Sequence, residues 1–181
     1  KTKEYSNSRF DYRKAISLEY KNPSKQVEYK GALNKMTNAW YKVLDQKIEG
    51  YKREVDINKD KSSVYLGIAK CYGEKEEWEK AEEWYTEYFT KEKNIVAEEV
   101  IRYSVVLAKT GSIVKGEDIL RKYTEQFPED WRLLSRYGYF SMWLGKNDPA
   151  KTAFETALKY KPNFIEAQEG LDIINRRFIK P

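Results

Sequence analysis

Hydrophobic residues recur at helical spacing along most of the chain, and polar interruptions mark where the helices should end. Near the start, Tyr12, Ile16 and Tyr20 follow one another at intervals of four residues. This spacing places them on one face of a helix and predicts a helix over residues 9–21. The helix should stop before Pro23, because proline disfavours helical geometry in the residue that precedes it.

A longer helical pattern covers residues 24–56, and it allows two interpretations. Ser24 suits the N-cap of a helix that ends near Met36, and a further helix would then begin at Thr37 or Asn38. We expect this break; the alternative is one uninterrupted helix. In both interpretations the apolar stripe consists of Trp40, Leu44, Ile48, Tyr51 and Val55.

Beyond a polar connector at residues 58–63, the helical segments come in regular pairs. Of all residues, 40% are hydrophobic and 35% are charged, which fits strongly amphipathic helices, and the chain has only nine glycines and five prolines. The predicted fold class is therefore all-α. The expected helices lie at 62–74 and 77–91, 97–109 and 114–126, 131–144 and 149–160, and finally 164–178.

The pairs repeat at a fixed interval. Pro128 and Pro162 are 34 residues apart, and so are Gly111 and Gly145. Small residues at fixed offsets let two helix backbones approach closely, while large residues fill the space around them. The clearest copy begins at Trp131 and carries Leu134, Tyr137, Gly138, Gly145, Ala150, Phe154, Ala157 and Pro162.

This pattern resembles the tetratricopeptide repeat (TPR), a helix-turn-helix unit of the same length. The clearest copy departs from the family pattern at Ser141, and less complete copies begin at Ala97 and Ser62. The resemblance implies an all-α, TPR-like superhelix of antiparallel helix hairpins with a C-terminal capping helix. It divides the chain into an N-terminal helical region at 1–61, which is a degenerate repeat or a cap, repeats at 62–96, 97–130 and 131–164, and a capping helix at 165–181.

The composition narrows the chemistry that the chain can perform. Its 181 residues include one cysteine, Cys71, and no histidine. An intramolecular disulfide is therefore impossible, and the commonest metal ligand and general base is absent. Since no histidine can activate it, Cys71 is interpreted as a small buried residue. We expect a protein without enzymatic activity, cofactor or metal.

The net charge of +5 is unevenly distributed. Basic residues outnumber acidic ones by 15 to 9 in residues 1–61 and by 9 to 5 in 131–181, whereas acidic residues dominate by 8 to 5 in 62–96 and by 7 to 5 in 97–130. Such an uneven charge distribution affects which partners the chain attracts more than it affects the fold. The chain has no run of 18 apolar residues and no N-terminal signal pattern, so no transmembrane segment is expected. The compartment, cytoplasmic or exported, stays undecided.

The resemblance also implies a function. In the TPR family the first helices of the repeats line a concave groove that commonly binds a segment of another protein. We therefore expect a non-catalytic protein–protein interaction scaffold with a partly basic groove. Because arginine pairs well with carboxylates and aromatic residues anchor interfaces, the expected partner is a protein or peptide with acidic or mixed acidic and aromatic character. The candidate partner-binding residues are Lys70, Arg102, Lys109, Arg132, Arg136, Tyr139, Met142, Trp143 and Arg176.

A more specific TPR function is not supported. Family members that hold the acidic C-termini of chaperones use a carboxylate clamp of lysine, asparagine and arginine residues. At the clamp positions of this chain, only Arg136 matches in identity and Arg132 in charge. We do not transfer the chaperone-tail function.

Two alternatives stay open. The charged side chains could be ordinary solvated groups on helix surfaces. The chain could also be a structural or self-associating subunit of a larger assembly, which exposed apolar residues such as Phe178 and Ile179 would favour. Nucleic-acid binding is disfavoured, because acidic residues are mixed among the tyrosines and basic residues of 9–53.

Overall fold

The computed structural model describes residues 13–17 and 22–178 of the chain. The described part is helical and contains no β-strand, which confirms the all-α class. None of its helices is both long and apolar enough to cross a membrane. Its helices are α1 (Pro23–Ile57), α2 (Ser62–Glu74), α3 (Trp78–Lys91), α4 (Ala97–Thr110), α5 (Ile113–Gln126), α6 (Trp131–Trp143), α7 (Asn147–Tyr160) and α8 (Ile165–Phe178).

The expected break at residues 37–38 is wrong, since α1 runs without interruption for 35 residues. Its N-cap is Asn22, whose side chain accepts a hydrogen bond from the Lys25 N–H at 3.3 Å, and Pro23 occupies the first turn. No proline follows until the helix has ended. Thr and Asn are weak helix formers, but they lack the steric clash that would end a helix.

The helix predicted over residues 9–21 is only partly visible. Residues 13–17 are helical, and the Ile16 carbonyl accepts a hydrogen bond from the Gln26 side chain at 3.3 Å. Tyr12, Tyr20 and the remainder of that prediction lie outside the described residues.

The helices form two compact units, and the boundary lies between Lys75 and Glu76. In the first unit α1 packs against α2, with Trp40, Leu44 and Ile48 of α1 fully buried. The boundary falls within the segment 62–96, and its assignment as one repeat stays a prediction.

In the second unit, consecutive helices from α3 to α8 contact one another, and α6 also contacts α4 and α8. Two close contacts between aromatic rings and glycines hold these helices together. A Cβ atom at Gly116 of α5 would lie 2.1 Å from the Phe140 ring of α6. A Cβ atom at Gly138 would lie 2.7 Å from the Phe154 ring of α7, so both glycines admit a ring that any side chain would displace.

A polar network joins α3 to the start of α5. The Glu82 carboxylate accepts hydrogen bonds from the Ser112 hydroxyl at 2.8 Å and from the Lys115 ammonium at 2.9 Å, and Thr110 also donates to it. Burial alone would raise the pKa of Glu82, but these hydrogen bonds outweigh it and lower the pKa. Glu82 therefore stays charged and links α3 to the start of α5.

The helix ends agree with the turn residues of the sequence. Gly111 and Gly145 follow α4 and α6 in the left-handed conformation, with φ of 75° and 74°. Asp130 caps the N-terminus of α6 by accepting hydrogen bonds from the N–H groups of Arg132 at 3.0 Å and Leu133 at 3.3 Å. Burial would raise the pKa of Asp130, but its bonds to Arg132 and Leu133 prevail and lower the pKa.

Gly116→Ala tests the close contact between α5 and α6. The added methyl group must displace the buried Phe140 ring, at a cost of about 1–3 kcal/mol for overpacking. The higher helix propensity of alanine offsets this cost by up to ~1 kcal/mol in the free energy of unfolding. We therefore expect a lower urea midpoint in circular dichroism. Gly31→Ala, where nothing lies within 4 Å of the new Cβ atom, should instead raise stability. A wild-type midpoint in Gly116→Ala would contradict the tight packing.

Replacements of Asp130 test the cap and its charge. Asp130→Ala should lower the free energy of unfolding by about 1 kcal/mol, while Asp130→Asn keeps a capping oxygen and should lose less. Because the folded-state pKa of Asp130 is lowered, its stabilising contribution is complete at neutral pH and is lost as the pH falls through that lowered value. Wild type should therefore lose stability on acidification more steeply than Asp130→Asn. Parallel curves of stability against pH would refute this contribution.

Candidate functional site

Three helices of the second unit enclose a small surface pocket. The pocket has a volume of about 260 Å³ and lies where α6 faces α4 and the start of α8. We call it the α6 pocket. Its lining residues are Ile101, Trp131, Arg132, Ser135, Arg136, Tyr139, Phe164 and Glu166.

Aromatic and aliphatic side chains make up the apolar part of the α6 pocket. The rings of Trp131 and Phe164 meet edge to face, with 4.4 Å between their centroids. Such a ring pair contributes about 0.5–1.5 kcal/mol beyond its buried area. Ile101 adds an aliphatic wall from α4. The pocket therefore offers an apolar surface whose shape is held by aromatic packing.

Tyr139 connects the pocket to the core and to α8. Its ring lies 5.0 Å from that of Phe154, and its hydroxyl group donates a hydrogen bond to the Glu166 carbonyl at 2.7 Å. Burial raises the pKa of Tyr139, with Glu169 and Glu166 adding to this effect. Tyr139 therefore stays neutral and keeps α6 and α8 together.

Arg132 belongs to a chain of alternating charges. Its guanidinium group contacts Asp130 at 2.8 Å and Glu98 at 3.1 Å, and Glu98 also pairs with Arg102 at 3.0 Å. The bond to Asp130 is the main cause that raises the pKa of Arg132. Two of the predicted basic groups, Arg102 and Arg132, are thus already paired with carboxylates of the same unit.

Arg136 and Glu166 differ from this chain of charges. Both side chains are exposed at the pocket, one on α6 and one in the first turn of α8. Within residues 13–17 and 22–178, neither side chain forms a hydrogen bond or an ion pair. The pocket therefore presents one unpaired cation and one unpaired anion.

Met142 does not lie on the surface, contrary to its predicted position in the groove. It is only 4% exposed and packs in a core cluster with Phe154, Ala167 and Ile174. The physical reason is that α8 packs against α6 and α7, so the apolar side chain near the end of α6 is enclosed by them.

The other predicted residues are dispersed. Trp143 is 50% exposed, with its ring 5.0 Å from that of Phe140, and the Lys109 ammonium lies 5.9 Å from the Trp78 ring centre. Arg176 is exposed on α8, and Lys70 lies on α2 in the first unit. Of the predicted set, the α6 pocket is lined by Arg132, Arg136 and Tyr139.

Sequence reasoning did not select Trp131 and Phe164 as site residues. They stand 33 positions apart, one at the first residue of α6 and one just before α8. The sequence could have indicated them, because an aromatic residue stands at each of two neighbouring repeat boundaries. Their side-chain contact depends on how the hairpins stack.

The described residues hold little that suggests other chemistry. Burial raises the pKa of the Cys71 thiol to about 11, so the thiol stays protonated at neutral pH. No group of three or more Cys, Asp or Glu residues in the described ranges is arranged to hold a metal ion.

Comparison with known families identifies one segment. Residues 132–164 match the family model described as the tetratricopeptide repeat. This segment covers most of α6 and all of α7, including Gly138 and Phe154. No curated protein matches the chain in sequence.

Solved structures share the fold over most of the chain. YrrB, described as a TPR protein with an unusual peptide-binding site, has a TM-score of 0.69 at 15% identity, covering 92% of this chain and 83% of its own. MamA from Desulfovibrio magneticus RS-1 has a TM-score of 0.63 at 14% identity, covering 94% and 85%. The first TPR of Spaghetti (RPAP3), bound to an HSP90 peptide, has a TM-score of 0.60 at 18% identity, covering 66% and 94%.

At such low identities these likenesses show the fold alone, whereas the family model identifies the repeat by its sequence. The close packing of Gly138 against Phe154 and the left-handed Gly145 are what that repeat requires. Residues 132–164 therefore match the tetratricopeptide repeat by sequence, and the chain shares its fold with solved TPR structures.

Proposed function

We propose that the chain is a non-catalytic protein–protein interaction scaffold that binds a segment of a partner protein at the α6 pocket. The observation that carries this proposal is the exposed Arg136, which has no ion-pair partner in the part of the chain that the structure describes, beside an apolar pocket. Aromatic residues and arginine are the residue types that most often dominate binding energy at protein interfaces.

The size of the pocket supports a partner protein over a small molecule. Sites for drug-sized ligands usually measure roughly 300–1,000 Å³. The α6 pocket, at about 260 Å³, suits one anchoring side chain whose flanking residues lie on the surface around it. A peptide segment supplies such an anchor together with polar groups on both sides.

The known structures add support at the level of fold. YrrB is described as having a peptide-binding site, and the RPAP3 domain was solved with an HSP90 peptide. A fold of this kind can therefore hold a peptide. In this chain, the residues that would hold a peptide are those that line the α6 pocket.

The basic character of the proposed site is concentrated in one residue. Arg102 and Arg132 are engaged with Glu98 and Asp130, whereas Arg136 keeps its charge available. One such cation is a poor basis for nucleic-acid binding, which depends on several phosphate contacts. A carboxylate of a protein partner is the simplest match for it.

A second candidate function is self-association or a structural role in a larger assembly. Ile165 is 64% exposed and Ile173 is 39% exposed on α8, and a contact with another copy or another protein would bury this apolar surface. Phe178 and Ile179, named above for the same reason, have side chains outside the described part.

Arg136→Glu tests the first candidate, with Arg176→Glu as a matched control. Arg176 is also an exposed arginine, but it does not line the pocket. Both proteins are immobilised, and the proteins they retain from a native extract are quantified by mass spectrometry. An exposed charge pair is worth up to about 1 kcal/mol and the reversed charge adds repulsion, so specific partners should fall by about fivefold or more on Arg136→Glu alone. Equal retention by both variants would exclude the α6 pocket as the docking site.

Sedimentation velocity tests the second candidate. If α8 is a self-association surface, the average mass of the wild type should rise with concentration. The double replacement Ile165→Lys and Ile173→Lys should then keep the protein monomeric, because two buried ammonium groups would be desolvated at the contact. A wild type that stays monomeric at high concentration rules out the self-association version of this candidate.

A further inference from the structure

We propose that the α6 pocket selects a segment of mixed charge, and this inference rests on the proposed function of that pocket. In the bound state an apolar or aromatic side chain fills the pocket. An acidic side chain pairs with Arg136, and a basic side chain pairs with Glu166. The partner chemistry is therefore an apolar anchor flanked by residues of opposite charge.

Both charges at the pocket are available to a ligand. Arg136 and Glu166 both line the pocket and are exposed. They form no ion pair with each other, since no nitrogen of Arg136 lies within 4.0 Å of the Glu166 carboxylate. Nearby, Glu98 and Asp130 are occupied by Arg102 and Arg132. A ligand therefore meets two charges that the fold leaves uncompensated.

Contacts between α6 and the start of α8 hold the backbone positions of Arg136 and Glu166 relative to each other. The Tyr139 hydroxyl bonds to the carbonyl of Glu166 itself, at 2.7 Å, so the residue with the free carboxylate is tied to α6. The contact between Trp131 and Phe164 ties the start of α6 to the residue before α8. Because the site is organised before binding, less entropy is lost when a ligand pairs with both charges.

The site disfavours segments that carry charge of only one sign. A purely acidic segment would face Glu166 and Glu169, and a purely basic one would face Arg136. Glu169 and Glu166 raise the pKa of Tyr139, and Arg136 lowers it. All three charges therefore lie close enough to act on the same hydroxyl group. Like charges brought together lower affinity, and this repulsion gives specificity.

The test is fluorescence anisotropy of the full chain with labelled synthetic peptides at low ionic strength. Every peptide carries one tryptophan between flexible Gly-Ser spacers, with its termini blocked. The flanking residues are Asp and Lys, two Asp, two Lys, or Asn and Gln, and the mixed peptide is made in both orders. Since one exposed charge pair changes affinity by up to about fivefold, a mixed peptide should bind at least about threefold more tightly than either like-charged peptide.

Charge reversals of the protein identify the two residues. Arg136→Glu should shift the preference to the peptide with two Lys, and Glu166→Lys should shift it to the peptide with two Asp. The combination of Arg136→Glu with Glu166→Arg should restore the preference for mixed charge, because the peptide can bind in the reverse direction. Arg176→Glu is the control and should rank the peptides as the wild type does. Circular dichroism checks that each variant is folded.

The outcomes separate this inference from the proposed function. Equal binding of all peptides, or preference of the wild type for two like charges, overturns the mixed-charge proposal but leaves the pocket as a docking site. Failure of both mixed peptides to bind also overturns it. Only unchanged partner retention by Arg136→Glu, in the capture experiment above, overturns the docking site itself.

Discussion

The arrangement of α6, α7 and α8 depends on the burial of one aromatic ring between two glycines. Phe154 of α7 is fully buried, and Cβ atoms at Gly138 of α6 and Gly170 of α8 would lie 2.7 Å and 2.4 Å from its ring. The ring can occupy this place only because both helices lack a side chain there. It thereby sets how closely α6 and α8 approach α7. Since Tyr139 packs on the same ring at 5.0 Å, this core contact also supports the α6 pocket.

Above this core, charge pairing determines which groups are available to a partner. The carboxylates of Glu98 and Asp130 neutralise Arg102 and Arg132, so a surface that is rich in arginine presents little free positive charge. Exposed pairs of this kind contribute little to stability, about 0–1 kcal/mol each. Their larger consequence is for recognition, because they leave Arg136 and Glu166 as the unpaired charges at the pocket.

The sequence predicts the helices from α2 to α8 well, since their signals are local. A glycine at a turn, such as Gly111 or Gly145, predicts a left-handed backbone conformation at that residue. A small residue within a helix, such as Gly138, predicts a close contact with a neighbouring helix. The prediction failed at residues 37–38, because Thr37 and Asn38 are residue types that suit the start of a helix but also fit inside one whose buried face continues at Trp40. It also failed for Met142, whose environment depends on α8 rather than on its own helix.

By itself, then, the sequence determined the all-α class, the repeat and its turns, because hydrogen bonds within a helix and helical periodicity involve residues close in the chain. It also indicated Arg132, Arg136 and Tyr139 as candidate partner-binding residues. Only the tertiary structure decided that Arg132 is paired, because the partner Glu98 lies on another helix, while Arg136 has no ion-pair partner among the described residues. The α6 pocket likewise exists only where α4, α6 and α8 meet, since its walls come from residues far apart in the chain.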